Sequence, residues 1–171
     1  MKNINSYVRD MGILLAYGKE GTPFSNLIDI VKLDFSVESL KEVDKYLAKV
    51  RKKKLTEEEQ KIIVLRCGTY LGEVIRTNSP KDFDWVHWDN AKNDFMQKHF
   101  ARDLTTVYII LKKSSGNYLF PLAKVYKFIQ NGKEDSLWVF AMWALDIKSE
   151  RIAIFSLEPV DKPTKKDKKN V

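Results

Sequence analysis

Apolar positions near the start of the chain recur at helical spacing. Ile4, Val8, Met11 and Leu15 are separated by four, three and four residues, which predicts one face of a first helix ended by Gly18, Gly21 and Pro23. Residues 24–35 (FSNLIDIVKLDF) fit a helical and an alternating template equally and stay ambiguous. Ser36 is placed to cap a second helix with the apolar face Leu40, Val43, Leu47 and Val50. The run Arg51 to Lys54 falls at its carboxyl end, where cations complement the helix dipole. Thr56 followed by Glu59 makes a capping box, and with Glu57 and Glu58 it predicts a third helix to about Asn78. The two helices then form a helical hairpin with a short loop around Leu55.

Beyond Pro80 the period changes. Residues 84–89 (DWVHWD) predict a short strand, and 105–111 (TTVYIIL), β-branched and aromatic throughout, predict a second. The turn Ser114 to Asn117 leads into Tyr118, Leu119 and Phe120, so a hairpin is expected. Pro121 suits the first turn of a helix carrying Leu122, Val125, Tyr126 and Ile129, closed by Asn131 and Gly132. Asp135 or Ser136 is placed to cap one more helix through Leu145. A strand over the same residues, paired with 151–157, is the alternative, because Trp138, Val139, Phe140 and Trp143 favour sheets. The fold class that follows is α+β: amino-terminal helices including a helical hairpin, a small antiparallel sheet, then carboxy-terminal helices.

Charge and cysteine usage narrow the setting. The net charge is +7, but the last ten residues hold +4 of it, leaving +3 for residues 1–161. One domain over 1–158 with a flexible basic tail over 159–171, broken by Pro159 and Pro163, is the expected organisation. Lys52, Lys53 and Lys54 are followed by Glu57, Glu58 and Glu59, so local charge nearly cancels and nucleic acid is not the expected partner. The lone Cys67 has no bridging or redox partner in sequence, which suits a reducing, cytoplasmic compartment. The amino-terminal apolar run implies no export signal. Leu137 to Leu145 is the most apolar stretch, and its nine residues fall short of the roughly 20 that span a bilayer, so it is expected in the core.

Candidate chemistry is sparse. Residues 67–76 (CGTYLGEVIR) place Gly68 and Gly72 one turn apart in a predicted helix, where each costs about 0.5–1 kcal/mol against alanine. Such a pair implies a neighbouring backbone in close approach, or a ligand against the bare helix. Leucine at either glycine is expected to destabilise the fold, while Glu73→Gln is expected to leave it nearly unchanged. Arg66, Glu73 and Arg76 share a helix face and make a candidate charge-paired patch or pocket, with Trp85 and Trp88 as further candidates for contact with a ligand or partner. His87 and His99, even with Asp89 or Asp94, lack metal-ligand spacing, so no metal is expected. Trp85, Trp88, Trp138 and Trp143, with Tyr108, Tyr118 and Tyr126, are expected as core aromatics. No phosphate loop, nucleophile elbow or dinucleotide fingerprint occurs, and no cofactor is implied.

Residues 39–47 (SLKEVDKYL), 68–76 (GTYLGEVIR) and the tryptophans at 85–88 resemble a family of small bacterial proteins grouped as a domain of unknown function. The resemblance spans roughly residues 33–145. It implies a bacterial cytosolic setting and a helix-then-sheet layout, and it carries no activity to transfer. The expected function is a non-catalytic, protein-binding domain, immunity- or chaperone-like, rather than an enzyme. A small-molecule binder or enzyme with a pocket around Glu73, Arg66 and Arg76 is the alternative, and a weak nucleic-acid binder the third.

Overall fold

A computed structural model describes residues 3–18, 20–91 and 98–147. The expected strand at 151–157 and the tail at 159–171 lie outside the described residues. Five α-helices are described: α1 (Ile4–Tyr17), α2 (Leu40–Val50), α3 (Glu57–Asn78), α4 (Pro121–Asn131) and α5 (Leu137–Ala144). A three-stranded antiparallel sheet completes the α+β fold, with β1 (Phe83–His87), β2 (Tyr108–Lys112) and β3 (Asn117–Leu119) in the order β1-β2-β3. No helix among the described residues is long and apolar enough to cross a membrane.

The local signals form as their chemistry dictates. Thr56 and Glu59 make the reciprocal capping box that starts α3, and Ser36 caps a 3₁₀ turn that runs directly into α2. Leu40, Val43, Leu47 and Val50 are all buried, as are Val8 and Leu15 of α1, while Ile4 and Met11 pack against the core from its rim. The turn 51–56 joins α2 to α3, but the two helices take different neighbours. α3 packs chiefly against α1 and α4, and α2 against α5 and α4. Residues 24–35 are neither helix nor strand. They form two 3₁₀ turns in a strap tied down by the helices: the Tyr46 hydroxyl donates to the Pro23 carbonyl (2.5 Å), Glu42 accepts from the Asp29 amide (3.2 Å), and the Tyr70 hydroxyl accepts from the Phe35 amide (3.1 Å).

The strands shift slightly from their expected bounds. β2 starts at Tyr108 because Asp103 holds the preceding residues in a turn, accepting from the Thr105 amide (2.7 Å) and hydroxyl (2.6 Å). Gly116 at φ +71° closes the β2–β3 hairpin. Register places Trp85 opposite Ile110 and Leu111 opposite Tyr118. One sheet face gives Phe83, Trp85, Ile110 and Leu119 to the main core. The other gives Ile109 to a small cluster with Trp88 and Ala91, flanked by Val86, Tyr118 and Phe120.

α5 settles the choice at 136–145 as helix. Its amino end is held by Ser136, whose hydroxyl accepts from the Val139 amide, and by Asp44 of α2, which accepts from the Ser136 hydroxyl (2.6 Å) and the Leu137 amide (2.9 Å). Asp135 is not the cap, because its carboxylate takes Lys124 and Asn131.

Candidate functional site

Helix α3 brings the singled-out residues into the middle of the molecule. Glu73 is fully buried, at 0% exposure. Its carboxylate receives Arg76 in a two-pronged pair, Nε to Oε1 and Nη2 to Oε2 at 2.8 Å each, and the Trp85 indole N–H donates to Oε1 at 2.6 Å. The Glu73 hydrogen bond raises the Arg76 pKa and holds its charge. Both carboxylate oxygens are thus committed, which corrects the expectation that Glu73→Gln is nearly neutral. A buried carboxylate with three charge-assisted bonds is costly to disturb.

The glycines open that site to its neighbours. The Trp85 ring lies directly on Gly72, where a Cβ would collide with Cζ2, and Ile110 Cδ1 lies 2.9 Å from the same point. At Gly68 a Cβ would stand 2.8 Å from Leu122 Cα, the close backbone approach expected for this pair. Gly12 of α1 makes a similar crossing over the Thr69 carbonyl, with a Cβ falling 3.1 Å from the oxygen. The bare face of α3 is therefore occupied by Trp85 and α4.

Arg66 does not join Glu73. Its guanidinium donates to the carbonyls of Gly18 (3.3 Å) and Glu20 (3.0 Å) and to the Thr22 hydroxyl, closing the end of α1 and the turn after it. The three-residue pocket of Arg66, Glu73 and Arg76 is not assembled; Arg76 alone reaches Glu73. Asn5 extends the network in a way the sequence did not signal. Its Oδ1 accepts from the Trp85 amide (2.8 Å) and its Nδ2 donates to Asp84 (3.0 Å), so α1 covers the outer edge of β1.

The aromatic residues divide. Trp85 and Trp88 are buried, Trp138 is half-buried, and Trp143 is 65% exposed, a correction to its expected core position. Tyr126 is exposed as well, on the outer side of α4. Val139 joins Trp143 in water, and Phe140 lies against it with ring centroids 6.0 Å apart. Lys41 sits 4.4 Å from the Trp138 ring and Lys124 5.8 Å from that of Phe140. The nine-residue run Leu137 to Leu145 is too short to span a bilayer, which predicts core, and an all-apolar helix gives no sequence signal for which side lies outward.

Other groups are quiet. Burial pushes the Cys67 thiol well above its usual range, which keeps it protonated and inert. The Asp89 amide donates to His87 Nδ1 (3.3 Å), and the Asp89 carboxylate pairs with Arg102 (3.2 Å). No three His, Cys, Asp or Glu side chains among the described residues gather as metal ligands. Asp94 lies outside the described residues. A shallow depression of about 350 Å³ between the strap and α2 is lined by Lys32, Asp34, Lys41, Glu42 and Lys45, but its lysines are paired with Asp29, Glu38 and Glu42. No family model, curated protein or solved structure matches this chain.

Proposed function

We propose that this chain is a non-catalytic, protein-binding domain of the kind that neutralises or chaperones a partner. The observation that carries this reading is the outer face of α5, where Trp143 and Val139 stand exposed beside Phe140 on a helix whose inner face is fully packed. Tryptophan is the residue most enriched at the energetic centres of protein interfaces, where a large rigid ring fills a pocket on the partner. Exposed apolar groups in a cluster mark interaction sites, whereas single ones need no explanation. The carboxylate at the centre of the alternative pocket lends no support to an enzyme, since both oxygens of Glu73 are engaged by Arg76 and Trp85.

The test compares wild type with Trp143→Ser/Val139→Ser. A partner is recovered by affinity purification from cells that express the protein, then purified and titrated against both chains. Loss of an interface tryptophan is expected to weaken binding by about 2 kcal/mol or more. Equal affinity for the two chains would remove α5 as the binding face.

A further inference from the structure

The tight turn between α2 and α3 carries a charge that its sequence neighbours do not neutralise. Glu57 pairs with Lys61 (2.6 Å), and Glu59 folds back on the Thr56 amide (2.8 Å) and hydroxyl (3.0 Å). Glu57 is therefore committed to Lys61 and Glu59 to the amino end of α3, and neither makes an ion pair with the preceding lysines. Glu58 remains exposed without such a bond.

Arg51 is also committed, but to a different element. Its guanidinium donates to the carbonyls of Ile129 (3.3 Å) and Gln130 (2.9 Å) and lies against Gly132, so it closes the carboxyl end of α4. This contact brings Lys133, next in chain to Gly132, to the same corner, with Glu134 after it. Lys52, Lys53, Lys54 and Lys133 are all exposed, and no hydrogen bond or ion pair ties their ammonium groups to another described residue. The backbone displaying them is fixed: the amides of Arg51, Lys52 and Lys53 donate to the carbonyls of Leu47, Lys49 and Val50. A rigid turn loses little freedom when it binds.

We propose that this corner docks an acidic segment of a protein partner, a run of Asp and Glu side chains gripped by Lys52, Lys53 and Lys54 with Lys133. Lysine offers a compact point charge that pairs with an anionic group without demanding a fixed geometry. Nucleic acid fits less well. Single strands are held by aromatic stacking, and residues 51–56 of the turn and 132–135 beside it include no aromatic side chain. Three consecutive lysines also span only about 10 Å, too short for the 6–10 phosphates that a dedicated binder engages.

The inference deepens the protein-binding reading and rests on it, yet the two fail separately, because its test uses a different face and a defined probe. The full chain is titrated with a labelled oligo-glutamate peptide, and with a single-stranded oligonucleotide of equal charge, at about 0.05 M and about 0.3 M salt. Lys52→Ala/Lys53→Ala/Lys54→Ala is expected to weaken peptide binding about tenfold at the lower salt, the sum of three exposed charge pairs, with most of the difference gone at the higher. Lys165→Ala/Lys166→Ala/Lys168→Ala is expected to change it less than about threefold. The charge reversals Lys53→Glu and Lys133→Glu give the same readout one residue at a time, with thermal unfolding confirming that each variant folds. A turn variant within about threefold of wild type, or tighter binding of the oligonucleotide than of the peptide at the same lysines, would overturn the proposal.

Discussion

Helix α3 carries seven charged side chains and two glycines, whereas α5 (LWVFAMWA) has no charged side chain at all. Yet α3 buries an unbroken stretch from Cys67 to Ile75 with a carboxylate in it, and α5 holds Trp143 in water. Position, rather than composition, separates them. α3 lies between α1 and α4 with β1 across it, and Gly68 and Gly72 let those neighbours close in. α5 packs one side on α2 and α3, and its other side faces outward. A polar group is buried where its partners arrive with it, and an apolar one is exposed where no described element covers it.

The largest break in this comparison is expected at Glu73. Glu73→Ala leaves the Trp85 indole and Arg76 without their acceptor in the core, and should lower unfolding free energy by about 3–5 kcal/mol in urea titration. A change below about 1 kcal/mol would mean that the network contributes little.

Overfilling the glycine face comes next. Gly72→Leu and Gly68→Leu drive side chains into Trp85 and Leu122, at a typical cost of about 1–3 kcal/mol each. Wild-type urea midpoints for both would show that face to be open.

Asp44 of α2 holds the amino end of α5 and titrates. Burial raises its pKa, against the lowering effect of its bonds to Ser136 and the amides of α5. A raised folded-state value means that its contribution to stability is fully present below the ordinary value of about 3.9 and is lost as pH rises through the folded one. The stability of wild type relative to Asp44→Asn should therefore fall as pH rises above the ordinary carboxylate value of about 3.9, read from paired urea midpoints. Asp44→Ala, which strips the acceptor from the amino end of α5, should cost about 1–2 kcal/mol. A flat difference across pH would show the bonds to α5 balancing burial, and a rising one would show them outweighing it.

The smallest effect belongs to α5's outer face. Trp143→Ser should shift thermal unfolding by no more than the equivalent of about 0.5 kcal/mol, the usual range for surface sites. A larger loss would place Trp143 in a packed environment and turn the contrast with α3 into one of degree.

What the sequence determined by itself is local. The faces of α1 and α2, the capping box of α3 and the hairpin turn at Gly116 all follow from side chains within a turn of one another, or from a residue that lacks a side chain. Which partner a long cation chooses was decided only by tertiary structure. Arg66 and Arg76 stand on one helix, yet one closes α1 and the other a buried carboxylate, because each takes the acceptor that folding places within reach. Arg51 crosses to α4 for the same reason. Burial, too, depends on the layers around a residue. Glu73 lies inside because Trp85 and Arg76 meet it there, and Trp143 lies outside because α5 is packed on one side only.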